Sequence, residues 1–157
     1  MTEERMSRTL LVVHHTTSPG TEAMLEAVRE GTRAEGIEGV DVVLRPALTA
    51  GAVDVLGADG YLFGTPANIG YMSGALKHFF DTVYYPCREA TQGRPYGVFV
   101  HGNQDLAGAL RAVEQCATGM GLVRASADVQ CRGEVTREVR EACWELGATV
   151  AAALMED

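Results

Sequence analysis

Five short apolar runs alternate along this chain with segments in which apolar residues recur at helical spacing, and this alternation limits the fold more than any other feature. Strands that alternate with helices form a parallel sheet with helices on both faces, because right-handed crossovers carry the chain over the sheet. The sequence therefore predicts an α/β, three-layer αβα sandwich around a five-stranded parallel sheet. The predicted strands are residues 9–14, 40–44, 59–64, 96–101 and 123–130, and the predicted helices are residues 21–34, 50–56, 73–84, 106–119 and 134–155.

The composition predicts one globular domain over residues 1–157, with 46% hydrophobic and 22% charged residues. The net charge of -8 argues against nucleic acid or an anionic membrane as a main partner. No apolar run approaches the roughly 20 residues of a spanning helix, and the polar start of the chain lacks a signal-peptide pattern. We therefore expect a cytoplasmic protein that does not bind membranes.

Metal chemistry and nucleophilic catalysis find little support in the sequence. The four cysteines form no C-x-x-C pair and are not spaced with histidines as zinc ligands are, so we predict reduced thiols and no metal. A passive thiol is the favoured interpretation of Cys87, with a reactive thiol as the alternative. The G-x-S-x-G motif of α/β-hydrolases is also absent.

A hydroxyl-rich loop, residues 15–21, follows the first predicted strand and precedes a helix. Free N–H groups and the helix dipole attract an anion at such a position. The loop has neither the lysine of a P-loop nor a G-x-G-x-x-G motif, so a nucleotide monophosphate held by neutral donors fits best. The alternative is that Ser18 or Thr21 simply caps the helix. The candidate residues of this first loop are His15, Thr16, Thr17, Ser18, Pro19, Gly20 and Thr21.

A second loop, residues 64–71, follows the third predicted strand and is suited to a planar ligand. Pro66 stiffens it, Gly70 lets a flat ring approach the backbone, and Tyr71 can stack on the ring. The alternative is an ordinary strand-to-helix turn with Ser73 as N-cap. The candidate residues are Thr65, Pro66, Ala67, Asn68, Ile69, Gly70 and Tyr71.

A third loop, residues 101–105, follows the fourth predicted strand and ends at the same edge of the sheet. Gly102 permits close approach of a ligand, and Asn103 or Gln104 can hydrogen-bond to its edge. His101 is the one candidate for proton transfer, although a histidine at the end of a strand is more often structural.

The second loop and the helix after it resemble the flavin-ring loop of flavodoxin-like proteins. The motif is Gly64-Thr65-Pro66-x-x-x-Gly70-x-Met72-Ser73-Gly74-x-x-Lys77-x-Phe79-x-Asp81, and the first loop is similar to the family's Ser/Thr-rich phosphate loop. The resemblance is closest to the tryptophan-repressor-binding-protein branch of NAD(P)H quinone oxidoreductases and to NADPH-dependent FMN reductases. It implies the strand order 2-1-3-4-5 and non-covalent FMN. It also implies that the first loop holds the phosphate, the second frames the isoalloxazine ring, and His101, Gly102 and Asn103 border its other side.

The resemblance implies an FMN oxidoreductase that takes electrons from NAD(P)H and passes them to a quinone or a similar small-molecule acceptor. A flavodoxin-like electron carrier with little NAD(P)H activity is the alternative, and a non-catalytic interaction protein is the third. The chain carries Ala67–Asn68 where the quinone-reductase branch has Thr–Arg, and its loop at 85–95 is shorter than the segment that helps to build a tetramer there. We expect a homodimer, the commonest small oligomer.

Overall fold

The computed structural model describes residues 7–155, which form a central sheet between two layers of helices. The strands are β1 (Arg8–His14), β2 (Val40–Pro46), β3 (Gly60–Asn68), β4 (Tyr71–Met72), β5 (Pro95–Gly102), β6 (Val123–Arg124) and β7 (Val129–Arg132). The helices are α1 (Pro19–Gly31), α2 (Ala52–Leu56), α3 (Gly74–Cys87), α4 (Ala107–Gly119) and α5 (Arg137–Ala152).

The sheet runs in the order β2-β1-β3-β5-β6, and β7 pairs with β5 farther along the same edge. These pairs are all parallel, and the short β4 alone pairs antiparallel, with β3. Because β6 and β7 are two parts of the predicted fifth strand, the predicted order 2-1-3-4-5 and the α/β sandwich are confirmed.

The fifth strand is broken, whereas the sequence predicted one strand over residues 123–130. Val123 pairs with Pro95 and Val129 pairs with Phe99, so the edge strand uses two more residues than β5 over the same distance. The surplus residues leave the ladder, which separates β6 from β7 at residues 125–128.

Two apolar clusters form the core, one on each face of the sheet. Residues of β3 alternate between them: Tyr61 and Phe63 pack with α2, α3 and α4, while Leu62 packs with α1 and α5. The predicted apolar stripe of α3 is confirmed, and its Phe79 and Phe80 rings lie 6.3 and 5.0 Å from the Phe63 ring.

Helices α1 and α5 approach each other backbone to backbone. A methyl group added at Gly147 of α5 would collide with the carbonyl of Val28, and one added at Gly31 of α1 would collide with the carbonyl of Trp144. Glycine at both positions therefore sets the distance between the two helices.

Helix α3 is longer than the sequence predicted. It runs to Cys87 and includes Pro86, so the predicted loop at 85–95 begins after the helix ends. Pro86 has no N–H to donate to the carbonyl of Thr82, so the last turn of α3 lacks that one helical hydrogen bond.

Candidate functional site

The three predicted loops meet at the carboxyl edge of the sheet. The N–H of His15 in the first loop donates to the carbonyl of Gly64 over 3.0 Å. A Cβ on Gly102 in the third loop would lie 3.1 Å from Cβ of Ala67 in the second. The loops are therefore one connected surface, as expected for loops that follow neighbouring parallel strands.

Within the first loop, Ser18 and Thr21 form a reciprocal cap on α1. The Thr21 N–H donates to Oγ of Ser18 over 3.1 Å. The Thr21 hydroxyl accepts from the N–H groups of Thr17 and Ser18 over 3.1 and 3.0 Å, and donates to the Ser18 carbonyl over 3.0 Å. The capping interpretation of these two residues is thus what the structure shows, and the loop is held in one shape by its own side chains.

The remaining donors of the first loop suit an anion. Among the bonds within residues 7–155, the Thr17 hydroxyl and the Gly20 N–H have no partner. Both belong to the N-terminal end of α1, where the helix dipole is positive. Pro19 supplies no N–H, and the loop carries no lysine or arginine, so the donor set is neutral.

Two adjacent histidines stand where β1 ends and the first loop begins. The Thr16 hydroxyl lies 2.8 Å from Nδ1 of His14, and the pKa of His14 is lowered by burial and by the neighbouring His15 ring. Nδ1 of His15 is buried without a partner in the described part of the chain. A buried polar atom of this kind marks a place where a ligand or a water molecule completes the hydrogen bonding.

The second loop is a β-hairpin, where the sequence predicted a loop. β3 continues to Asn68, and the turn residues Ile69 and Gly70 have φ angles of 50° and 73°, which defines a type I′ turn before β4. Pro66 is accommodated because β1 ends opposite Gly64, so at Pro66 the strand β3 is paired with β5 alone.

The base of the hairpin is fixed to the start of α3. The Thr65 hydroxyl accepts the N–H of Ser73 over 3.0 Å, and Oγ of Ser73 accepts the N–H of Leu76 over 3.2 Å. Ser73 is therefore the N-cap of α3, as the alternative for this loop stated. Thr65 is buried and serves this junction.

A cleft of about 450 Å³ lies between the hairpin and the third loop. Its walls include four residues predicted for the flavin ring. Gln104, which the sequence offered as a hydrogen-bonding group, and Asp105 complete it. Asp105 was missed, although an acidic residue two positions before a helix is a recognisable capping signal: its Oδ1 accepts the N–H of Ala107 over 3.0 Å. The lining residues are Ala67, Ile69, Gly70, Asn103, Gln104 and Asp105.

Other predicted residues lie beside the cleft. Asn68 and Tyr71 pair with each other across the mouth of the hairpin and are exposed. Pro66 is buried in β3. His101 points away, because its ring packs against Gly20 of the first loop and its Nε2 lies 2.7 Å from the carbonyl oxygen of Gly133.

No group of three or more histidine, cysteine, aspartate or glutamate side chains within residues 7–155 is arranged to hold a metal ion. Over the same residues, every helix is too short or too polar to cross a membrane.

The strand order and the helices on both faces of the sheet define a flavodoxin-like fold. A WrbA-like flavodoxin from Agrobacterium tumefaciens shares this fold with a TM-score of 0.77 over 94% of this chain and 98% of its own, at 23% identity. A flavodoxin from the domain Archaea gives a TM-score of 0.78 over 93% and 98% of the two chains, at 21% identity. The family model of NADPH-dependent FMN reductases matches residues 34–152, and the chain belongs to that family.

Two curated relatives match parts of the chain. A flavodoxin of Aquifex aeolicus is 42% identical over 74 residues, which are 47% of this chain and 39% of the relative. An NAD(P)H dehydrogenase (quinone) of Acidithiobacillus ferrooxidans is 32% identical over 126 residues, with 64% of this chain and 62% of the relative covered. The chain thus spans less than two thirds of the length of either relative. The family assignment confirms the predicted recognition and FMN as the predicted cofactor.

Proposed function

We propose that this chain is a single FMN-binding domain that takes electrons from NAD(P)H and passes them to a quinone or a similar small-molecule acceptor. The observation that carries the proposal is the cleft between the β3–β4 hairpin and the third loop, at the same sheet edge as the N-terminus of α1. A family of NADPH-dependent FMN reductases and a relative named as a quinone dehydrogenase support the electron donor and the acceptor class.

The first loop fits the phosphate of FMN. In this proposal the Thr17 hydroxyl and the Gly20 N–H contact the phosphate directly, and the positive end of the α1 dipole balances its charge. Ser18 and Thr21 hold the loop in shape, and the N–H groups of Thr17 and Ser18 can exchange the Thr21 hydroxyl for a phosphate oxygen. His15 and Thr16 close the side of the loop nearest β1.

The cleft fits the isoalloxazine ring. Gly70 and Ile69 present backbone at one wall, and the amides of Asn103 and Gln104 can hydrogen-bond to the ring heteroatoms at the other. The bound flavin supplies the electron-transfer chemistry, and the protein orients the ring and leaves one side open to the two substrates. This reaction does not require a nucleophilic side chain from the protein.

The electron carrier remains the second candidate, because the flavodoxin of Aquifex aeolicus is 42% identical over the matched residues. The two candidates share the FMN site and differ in whether NAD(P)H reaches the ring. The homodimer and the cytoplasmic location stay predictions.

A flavin titration followed by anaerobic reduction tests the proposal. We expect FMN to bind with a shifted flavin spectrum and NADH or NADPH to bleach it, with reoxidation by an added quinone. Binding without bleaching would favour the carrier, and no FMN binding at micromolar concentration would refute both candidates.

A matched pair of variants tests the phosphate end. Thr17→Val keeps the side-chain shape but removes the hydroxyl, so it should weaken FMN binding several-fold and leave riboflavin unchanged. Thr82→Val on α3, whose hydroxyl bonds only to the His78 carbonyl of its own helix, is the control and should bind both flavins as the unaltered protein does. Equal losses for FMN and riboflavin in Thr17→Val would contradict the phosphate contact.

A further inference from the structure

The ring of His101 lies between the first turn of α1 and the segment after β7. His101 follows Phe99 by two residues on β5, so its side chain lies on the α1 and α5 face of the sheet. A Cβ placed on Gly20 would be 2.7 Å from both Cε1 and Nε2 of the ring. The ring therefore fills the space beside Gly20, and no larger residue fits there without moving it.

Gly133 fixes the orientation of that ring. The N–H of Gly133 donates to the carbonyl of Gly102 over 2.8 Å, and its carbonyl oxygen lies 2.7 Å from Nε2 of His101. Because a carbonyl oxygen only accepts, Nε2 carries the proton and donates it. Gly133 has a φ of 80°, a left-handed conformation suited to glycine, which lets it bind both consecutive residues of β5.

We propose that His101 is a positioning residue for the FMN phosphate, an inference that rests on the proposed function. The ring lies between Gly133, which is bonded to β5, and Gly20, so it fixes how far Gly20 sits from β5. The N–H of Gly20 is one of the free donors of the first loop. His101 thereby sets where the N-terminus of α1 sits relative to the cleft. Its role is separate from proton transfer, since its Nε2 proton is committed to Gly133 and its ring is outside the cleft.

Paired flavin titrations of His101 variants separate positioning from a general structural role. His101→Leu keeps bulk but loses the donor, and we expect it to weaken FMN binding by about tenfold while riboflavin changes by less than about twofold. His101→Gln can still donate an N–H to Gly133, so it should restore most of the FMN affinity. Equal weakening of FMN and riboflavin in His101→Leu, or no weakening, would overturn the proposal.

A double-mutant cycle tests the contact with Gly20. Gly20→Ala should weaken FMN binding in the presence of the His101 ring, because the new methyl group meets the ring. In a His101→Ser background the space is open, so the same substitution should have little further effect. Additive losses would show that Gly20 and His101 act independently and would refute the inference.

Two outcomes distinguish this inference from the proposed function. If the unaltered protein binds neither FMN nor riboflavin, the proposed function fails, and the role of His101 in phosphate binding fails with it. If the unaltered protein binds FMN and the His101 variants show no selective loss, the function stands and the inference alone fails.

Discussion

Gly147 of α5 lies directly against the carbonyl group of Val28 in α1, with no room between them for a methyl group. We expect Gly147→Ala to lower the free energy of unfolding by about 2–3 kcal/mol, because the obstacle is backbone and not a flexible side chain. Urea unfolding measures the change.

Gly74→Ala is the matched control for that substitution. Gly74 also lies in a helix, but a Cβ there would meet nothing within 4 Å. Alanine favours helix over glycine, so this variant should be neutral or more stable by up to about 1 kcal/mol. A loss of stability as large as that of Gly147→Ala would contradict the packing explanation.

Ile69 holds a left-handed conformation at the tip of the β3–β4 hairpin, where its side chain is fully exposed. A β-branched residue is strained there, whereas asparagine is not. Ile69→Asn should therefore raise the free energy of unfolding by about 1 kcal/mol. Ile69→Val retains the branch and should not differ from the unaltered protein in the same urea experiment.

The four cysteines differ in solvent accessibility, and thiol labelling of the native protein should distinguish the accessible thiol from the buried ones. Cys87, Cys131 and Cys143 are buried, while Cys116 is partly exposed. Burial raises the pKa of all four thiols, and that of Cys143 to about 12, so Cys143 carries almost no thiolate at neutral pH. We expect one slow reaction, at Cys116, before denaturant exposes the rest.

A Cys116→Ser variant is the check on that assignment, since it should remove the native reaction altogether. Fast labelling of Cys87 would instead favour the reactive-thiol alternative for that residue. Mass spectrometry of the labelled peptides identifies the site.

His14 should make the protein less stable in mild acid. Its pKa is lowered from 6.5 in the folded state by burial and by the His15 ring, so the unfolded chain binds the proton first. Its contribution to stability is complete above pH 6.5 and is lost as the pH falls from there through the lower folded pKa. The free energy of unfolding measured across this range should decline less steeply in His14→Asn. An NMR titration that places the His14 pKa at or above 6.5 would contradict this account.

The sequence predicted the architecture because its main signals are local. Strand and helix periodicity located the elements, and the motif around Pro66 and Gly70 selected the strand order through its family resemblance. The broken fifth strand escaped prediction because the break depends on register with β5, a long-range pairing that periodicity does not encode. The close approach of α1 and α5 at Gly31 and Gly147 was not predicted for the same reason.

The site was predicted in outline and not in its details. Composition located the three loops, yet nothing in Asn68-Ile69-Gly70 signals a type I′ turn, because isoleucine stands where asparagine is preferred. The direction of the His101 side chain was equally hidden, since it depends on the alternation of β5 and on Gly133, which is distant in sequence. Both features arise from tertiary contacts.

The broken strand also bears on how the molecule avoids polymerising. A long, straight edge strand offers its free N–H and carbonyl groups to the edge of another sheet, which is how proteins begin to aggregate. Here β6 and β7 expose runs of two and four residues, and the surplus chain at 125–128 interrupts the line between them. The register shift that broke the strand thus also leaves no continuous template on that side of the sheet for a second molecule to extend.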